Sequence, residues 1–290
     1  MTTPAVNHSP TVAAPTYDPL SSIGWKMQRE IVLLLAWGPA ILLQLAHPLV
    51  ARGIADHSTF RSDRHGRLRR LHRTVDAMLQ LCFGTEAEAR VVLARINAIH
   101  DRVNGHLPEA AGVFPEGARY SAHDPELLAW VHATLLDMNV RVYELYVAPL
   151  RPEDRDRYCA EASAIEPFLG IPAGRLPRSF AELGRYMDAM LSSEAIAVTD
   201  TARTLAQAIV YPPAPRIAEP ALSLVRLTTV GLLPAAIREG YGFSWTPRQQ
   251  TKLRLSARFI RNVLRLTPPL LRHWPSARRA LRRTGAPTGG

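Results

Sequence analysis

The segment RLHRTVDAMLQLCFGTEAEARVVLARINAIH, residues 70–100, decides how this chain folds. Its first half turns apolar at helical spacing through Val75, Met78, Leu79 and Leu81 to Phe83, and Gly84-Thr85 breaks the run. Thr85-Glu86-Ala87-Glu88 is a capping box, in which the threonine hydroxyl accepts from the third helical N–H and Glu88 reaches back to Thr85. The helix it opens carries Val92, Leu93, Ile96, Ile99 and Val103 on one stripe, closed by Gly105. Two antiparallel helices joined by a tight turn are therefore expected. They bring a cationic, hydroxyl-bearing cluster and an imidazole on an apolar face, His100, into one neighbourhood.

Helical signals continue on both sides. Asp124-Pro125 supplies an N-cap and a proline at the first helical position, and Leu128, Val131, Leu135, Val142 and Tyr146 face inward together with His132 and Asn139. Further helices are expected from Pro152 to Leu169, from the capping box Ser179–Glu182 to about Leu191, over 200–210, over 220–233, and from Thr246-Pro247 to Leu266. Upstream, Ile31 to Ala51 holds no Asp, Glu, Lys or Arg, a run long enough to span a bilayer. Gly38-Pro39 and His47-Pro48 interrupt it, and Gln44 and His47 would be costly in lipid. Two buried helices meeting at His47-Pro48 are the expectation. No strand pattern with hairpin turns is legible and no internal repeat is found. The fold class is all-α: a leader over 1–18, rich in Thr, Pro and Ala and expected to be disordered, one multi-helix domain over 19–266, and a basic C-terminal tail over 267–290.

The net charge of +10 sits at one end. No acidic residue follows Glu239, whereas eleven Lys and Arg do, so residues 1–239 net −1. A solvated face is the default reading of that segment, and an anionic membrane surface is a candidate partner. Only Phe259 and Trp274 are available there to stack on bases, and no recognition helix is legible, so a specific nucleic-acid partner is not expected. Cys82 and Cys159 lack any C-x-x-C spacing and fit a reducing compartment. No secretory signal is expected from the opening residues. The expected location is cytoplasmic, with peripheral membrane contact through the basic segment.

Much chemistry is excluded by missing motifs: G-x-G-x-x-G, G-x-x-x-x-G-K-[ST], H-E-x-x-H and G-x-S-x-G do not occur. Paired Glu-x-x-His, needed for a di-iron bundle, is missing too. What remains is histidine on buried helix faces, large apolar surfaces and an arginine cluster, Arg61, Arg64, Arg67, Arg69, Arg70 and Arg73. A surface charge run is the default reading of that cluster; cations are poorly placed in the first turns of a helix, so phosphate, a carboxylate ligand and haem propionates are candidate anions to compensate them. One imidazole for iron, cations for propionates and an apolar cage is the inventory of a haem pocket.

Gln44-Leu-Ala-His47-Pro48-Leu-Val-Ala-Arg-Gly53-Ile-Ala-Asp-His57-Ser58-Thr-Phe60 resembles the signature of the MpaB-type oxygenase family, which shares its catalytic domain with latex clearing protein, the rubber oxygenase. RLRRLHRT (67–74), IHDRVNG (99–105), YSAHDPELLAWVHATL (120–135) and the stretch 143–152 continue the likeness over roughly 25–265. The resemblance implies a globin-like helical core holding haem b, with cleavage of a C=C bond in an apolar, isoprenoid-like chain by O2. It implies His100 as the metal ligand. Arg70, Arg73 and Thr74 then correspond to a distal catalytic Arg-x-x-Lys-Thr motif, with Arg73 standing where the rubber oxygenase has lysine. Arginine is permanently charged and serves neither as neutral base nor as iron ligand. Arg69 and Arg70 are the expected propionate partners, His132 and His47 further cofactor-binding candidates. The competing expectation is a haem-free helical lipid or isoprenoid carrier with a basic membrane-facing helix.

Overall fold

The computed structural model describes residues 18–57 and 64–285, and the side chains of 72–285 within the second span. The chain begins with α1 (Ile23–Gln28), capped by the Ser22 hydroxyl accepting from Trp25 N–H, and a 3-10 segment over Ile31–Ala36. There follow α2 (Trp37–Leu45) and α3 (Pro48–His57). The charge-free run is thus broken at His47-Pro48, where the axis turns by 108°. Pro48 has no N–H to continue α2, and the His47 carbonyl instead receives the Ala51 N–H. Leu42, Leu43 and Leu45 are fully buried. No described helix is long and apolar enough to cross a membrane.

The hairpin is present: α4 (Arg64–Phe83), then Gly84-Thr85, then α5 (Glu86–His100) with both halves of the capping box formed. A Cβ at Gly84 would overlap the Gln80 carbonyl oxygen, so the turn needs glycine. The α5 helix ends at His100, short of Gly105, and a hairpin of β1 (Asn104–His106) and β2 (Arg119–Ser121) follows. The sequence reading expects no strand here, because three-residue strands are too short to show alternation. Gly105 pairs with Tyr120, and a Cβ there would lie 2.5 Å from the tyrosine hydroxyl.

At the centre runs α6 (Pro125–Tyr146), capped by Asp124 and buried along most of its length. Around it fold α7 (Pro152–Ala162), the short α8 (Glu166–Leu169) closed by left-handed Gly170, α9 (Phe180–Ser192) and α10 (Asp200–Val210). They are followed by α11 (Glu219–Leu232), α12 (Ala235–Gly240) and α13 (Pro247–Leu266). Among the described residues the protein is all-α apart from one small hairpin. The main core joins α2, α6, α7, α9, α10 and α11. Gly38 lets α11 approach α2, since a Cβ would overlap Thr229 Oγ1.

Beyond α13 the basic segment folds back as α14 (Pro269–Arg272) and α15 (Pro275–Arg283). Ala277 and Ala280 pack with Trp25, Cys82 and Phe83. Buried Glu30 receives Arg272 Nε at 3.0 Å and faces His273 Nε2 at 3.1 Å. Apolar contact and a buried carboxylate hold these helices against α1 and α4.

Candidate functional site

His100 is the last residue of α5. At a rise of about 1.5 Å per residue, α5 carries it about 22 Å from the turn, and Arg70–Phe83 spans about 21 Å of α4. By length along the chain, Arg70 and His100 are equally far from the Gly84-Thr85 turn on their two limbs. Nearer the turn the hairpin is filled by Met78, Leu81, Val92 and Leu93; at the His100 end Ile99 is exposed. His100 is half-buried, and its Nδ1 is buried without a hydrogen-bond partner. Burial, with help from His123, depresses its proton affinity against the pull of Asp101. The ring is a neutral imidazole with one nitrogen uncommitted.

Two further histidines share that condition. His132 Nε2, on α6, is buried without a partner, and desolvation lowers this imidazole to about 4 against the attraction of Glu166. His47, at the α2–α3 corner, is likewise lowered to about 4 by burial, opposed by Asp124, and its Nδ1 has no partner. Its ring lies against Phe114, centroids 5.1 Å apart. Two landmarks relate the three rings. The α5 helix reaches α8 through Asn97, whose amide donates to the Phe168 carbonyl at 2.9 Å, and α8 carries the Glu166 charge felt by His132. The adjacent residues His123 and Asp124, at the entry to α6, act on His100 and His47 respectively.

Arg73 and Thr74 are exposed on α4. Arg69 and Arg70 belong to the helical backbone of α4, but their side chains lie outside the described residues, as do those of Arg61, Arg64 and Arg67. His57 has a structural position: its Nε2 is 3.1 Å from the Asn104 carbonyl oxygen and 3.3 Å from the Tyr120 hydroxyl, which donates to Asp56 at 2.6 Å. His123 was not singled out from the sequence. It precedes an N-cap in a loop, where no periodicity marks it, yet its ring meets His100 edge to face at 5.7 Å. Phe114 was missed for the same reason.

The family model "ER-bound oxygenase mpaB/B'/Rubber oxygenase, catalytic domain" matches residues 25–262. The chain belongs to this family. The mpaB/rubber oxygenase domain takes in all three orphaned imidazoles and runs from Trp25 in α1 to Asn262 in α13, leaving α14 and α15 beyond it. The family is an oxygenase catalytic domain, and this is the class of enzyme to which the chain is assigned. No curated protein and no solved structure matches the chain.

Proposed function

We propose that the protein is a haem b-dependent oxygenase acting on an apolar, isoprenoid-like substrate, with His100 as the protein ligand to iron. One observation carries this reading: within an oxygenase-family domain, the imidazole ending α5, the one of three such histidines that the resemblance makes the ligand, has its proton affinity lowered by burial and a buried nitrogen with no partner. A metal ligand must be deprotonated and free to bind, and a buried orphan nitrogen otherwise costs stability. Among the described residues no three His, Cys, Asp or Glu side chains form a ligand set. Haem iron needs only one such side chain, because the macrocycle supplies the equatorial nitrogens.

Haem, when bound, supplies O2 activation and oxidative cleavage of a C=C bond. Arg69 and Arg70, about as far from the turn along α4 as His100 is along α5, are proposed to pair with propionates. Arg73 and Thr74 lie within one further turn of α4 and bring donors that favour developing negative charge. Arg73 holds its proton throughout, so it orients and stabilises and abstracts nothing. His132 and His47 are proposed as neutral pocket residues, with His132 the alternative ligand.

Absorption spectra of freshly purified protein, oxidised and then dithionite-reduced, test the proposal. A Soret band that shifts on reduction is expected. A colourless protein that also refuses haem on reconstitution overturns it and favours a haem-free apolar carrier.

A further inference from the structure

From Arg254 to Leu266 the outward half of α13 is divided lengthwise, whereas nearer the start of the helix the exposed cations Arg248 and Lys252 fall on the same side as the apolar strip. Taking buried Leu253 as the reference and about 100° per residue, Arg254, Arg265 and Arg258 fall at about 100°, 120° and 140°. Leu255, Leu266, Phe259 and Val263 fall at about 200°, 220°, 240° and 280°. The inward face is Leu253 and Ala257. Both outward strips are open to solvent: Phe259 is 68% and Leu266 87% exposed, and all three arginines are exposed. The apolar strip does not stop with the helix, since Leu270 and Leu271 of α14 are also exposed.

We infer that this face is a docking surface for an anionic lipid bilayer. An apolar strip beside a cationic one, on a helix held flat against the body, suits the boundary between acyl chains and headgroups. Leu255, Phe259 and Leu266 would enter the acyl region while the arginine stems extend along it and place their guanidinium groups among lipid phosphates. Charge excludes the nearest competitor. Residues 240–290 hold no Asp or Glu, so a second copy of this face would bring only more cations, and no Asp or Glu among the described residues pairs with Arg254, Arg258 or Arg265. A phosphate polymer would satisfy the arginines and leave the leucines and Phe259 in water. The inference is independent of haem.

Co-sedimentation of the full chain with vesicles tests it, comparing phosphatidylcholine mixed with phosphatidylglycerol against phosphatidylcholine alone. The wild type is expected in the pellet with the anionic vesicles, and salt should release it. The triple variant Arg254→Gln, Arg258→Gln, Arg265→Gln should lose roughly a hundredfold in affinity for the anionic vesicles. The double variant Phe259→Ser, Leu266→Ser should also leave the pellet; all five positions are exposed, and an unchanged circular dichroism spectrum verifies the fold. A Phe259→Trp reporter should show a blue-shifted emission only with anionic vesicles. Absence of wild-type binding overturns the inference, as does equal binding to neutral vesicles or undiminished binding by both variants. So does a dimer in gel filtration that Phe259→Ser dissolves.

Discussion

The rings of His100 and His123 stand edge to face with centroids 5.7 Å apart, while His123 Nε2 lies 2.8 Å from the Asp101 carboxylate. His100 is thus kept neutral by burial first and by its neighbour second, with Asp101 opposing both. Replacing His123 by Phe keeps a ring in place and removes the titratable nitrogens. The His100 titration midpoint, followed by NMR of labelled histidine, should move upward and yet stay below the ordinary imidazole value. A midpoint that does not move would separate the two rings electrostatically.

His47 makes acid stability a second test. Its imidazole titrates near 6.5 when unfolded and near 4 in the fold. A base with depressed proton affinity in the native state stabilises the fold above the unfolded value, and that contribution is lost as pH falls from 6.5 toward 4. Between about pH 7 and pH 5 this one residue should remove about 2 kcal/mol. Urea denaturation at the two pH values should show a shallower pH dependence in His47→Gln than in the wild type; an identical dependence would show that His47 gains its proton without unfolding.

Gly38→Ala places a methyl group against Thr229 Oγ1 in the contact between α2 and α11. Overpacking of this kind costs about 1 to 3 kcal/mol. Adding Thr229→Ala removes the hydroxyl and should restore most of the loss. Thermal melts of the two single variants and the double variant give the coupling, and strict additivity would contradict the geometry.

Glu30 ties α14 to the body. Burial alone would raise its carboxyl, but His273 and Arg272 outweigh it and hold the group below its ordinary value. Glu30→Ala leaves Arg272 and His273 facing an empty, largely desolvated position, and should cost about 3 to 5 kcal/mol in urea unfolding. A loss under about 1 kcal/mol would mean the pair is screened as a surface pair is.

The hairpin of α4 and α5 was legible because its signals are local: a glycine break, a capping box and a 3.6-residue stripe all lie within one stretch. The His47-Pro48 corner was legible for the same reason. The β1–β2 hairpin was not, since three residues on each side, joined across a loop from His106 to Arg119, leave no period to read. Nor was the docking of α15 on Trp25 and Phe83: its arginines dominate the composition, whereas two small residues, Ala277 and Ala280, make the contact. His100 and His132 stand out in the sequence because they fall on apolar helical stripes. The pairing of His123 with His100 belongs to tertiary structure alone, and so does the role of α8 in bringing α5 and α6 to one place.

The central claim is that the imidazole ending α5 holds the cofactor. Replacing His100 by Gly and recording the Soret band, with and without added imidazole, tests it most directly. Loss of the band in His100→Gly, its return with imidazole, and retention in His132→Gly are the predicted result. A full band in His100→Gly, or a band lost in His132→Gly and regained there with imidazole, would contradict the account.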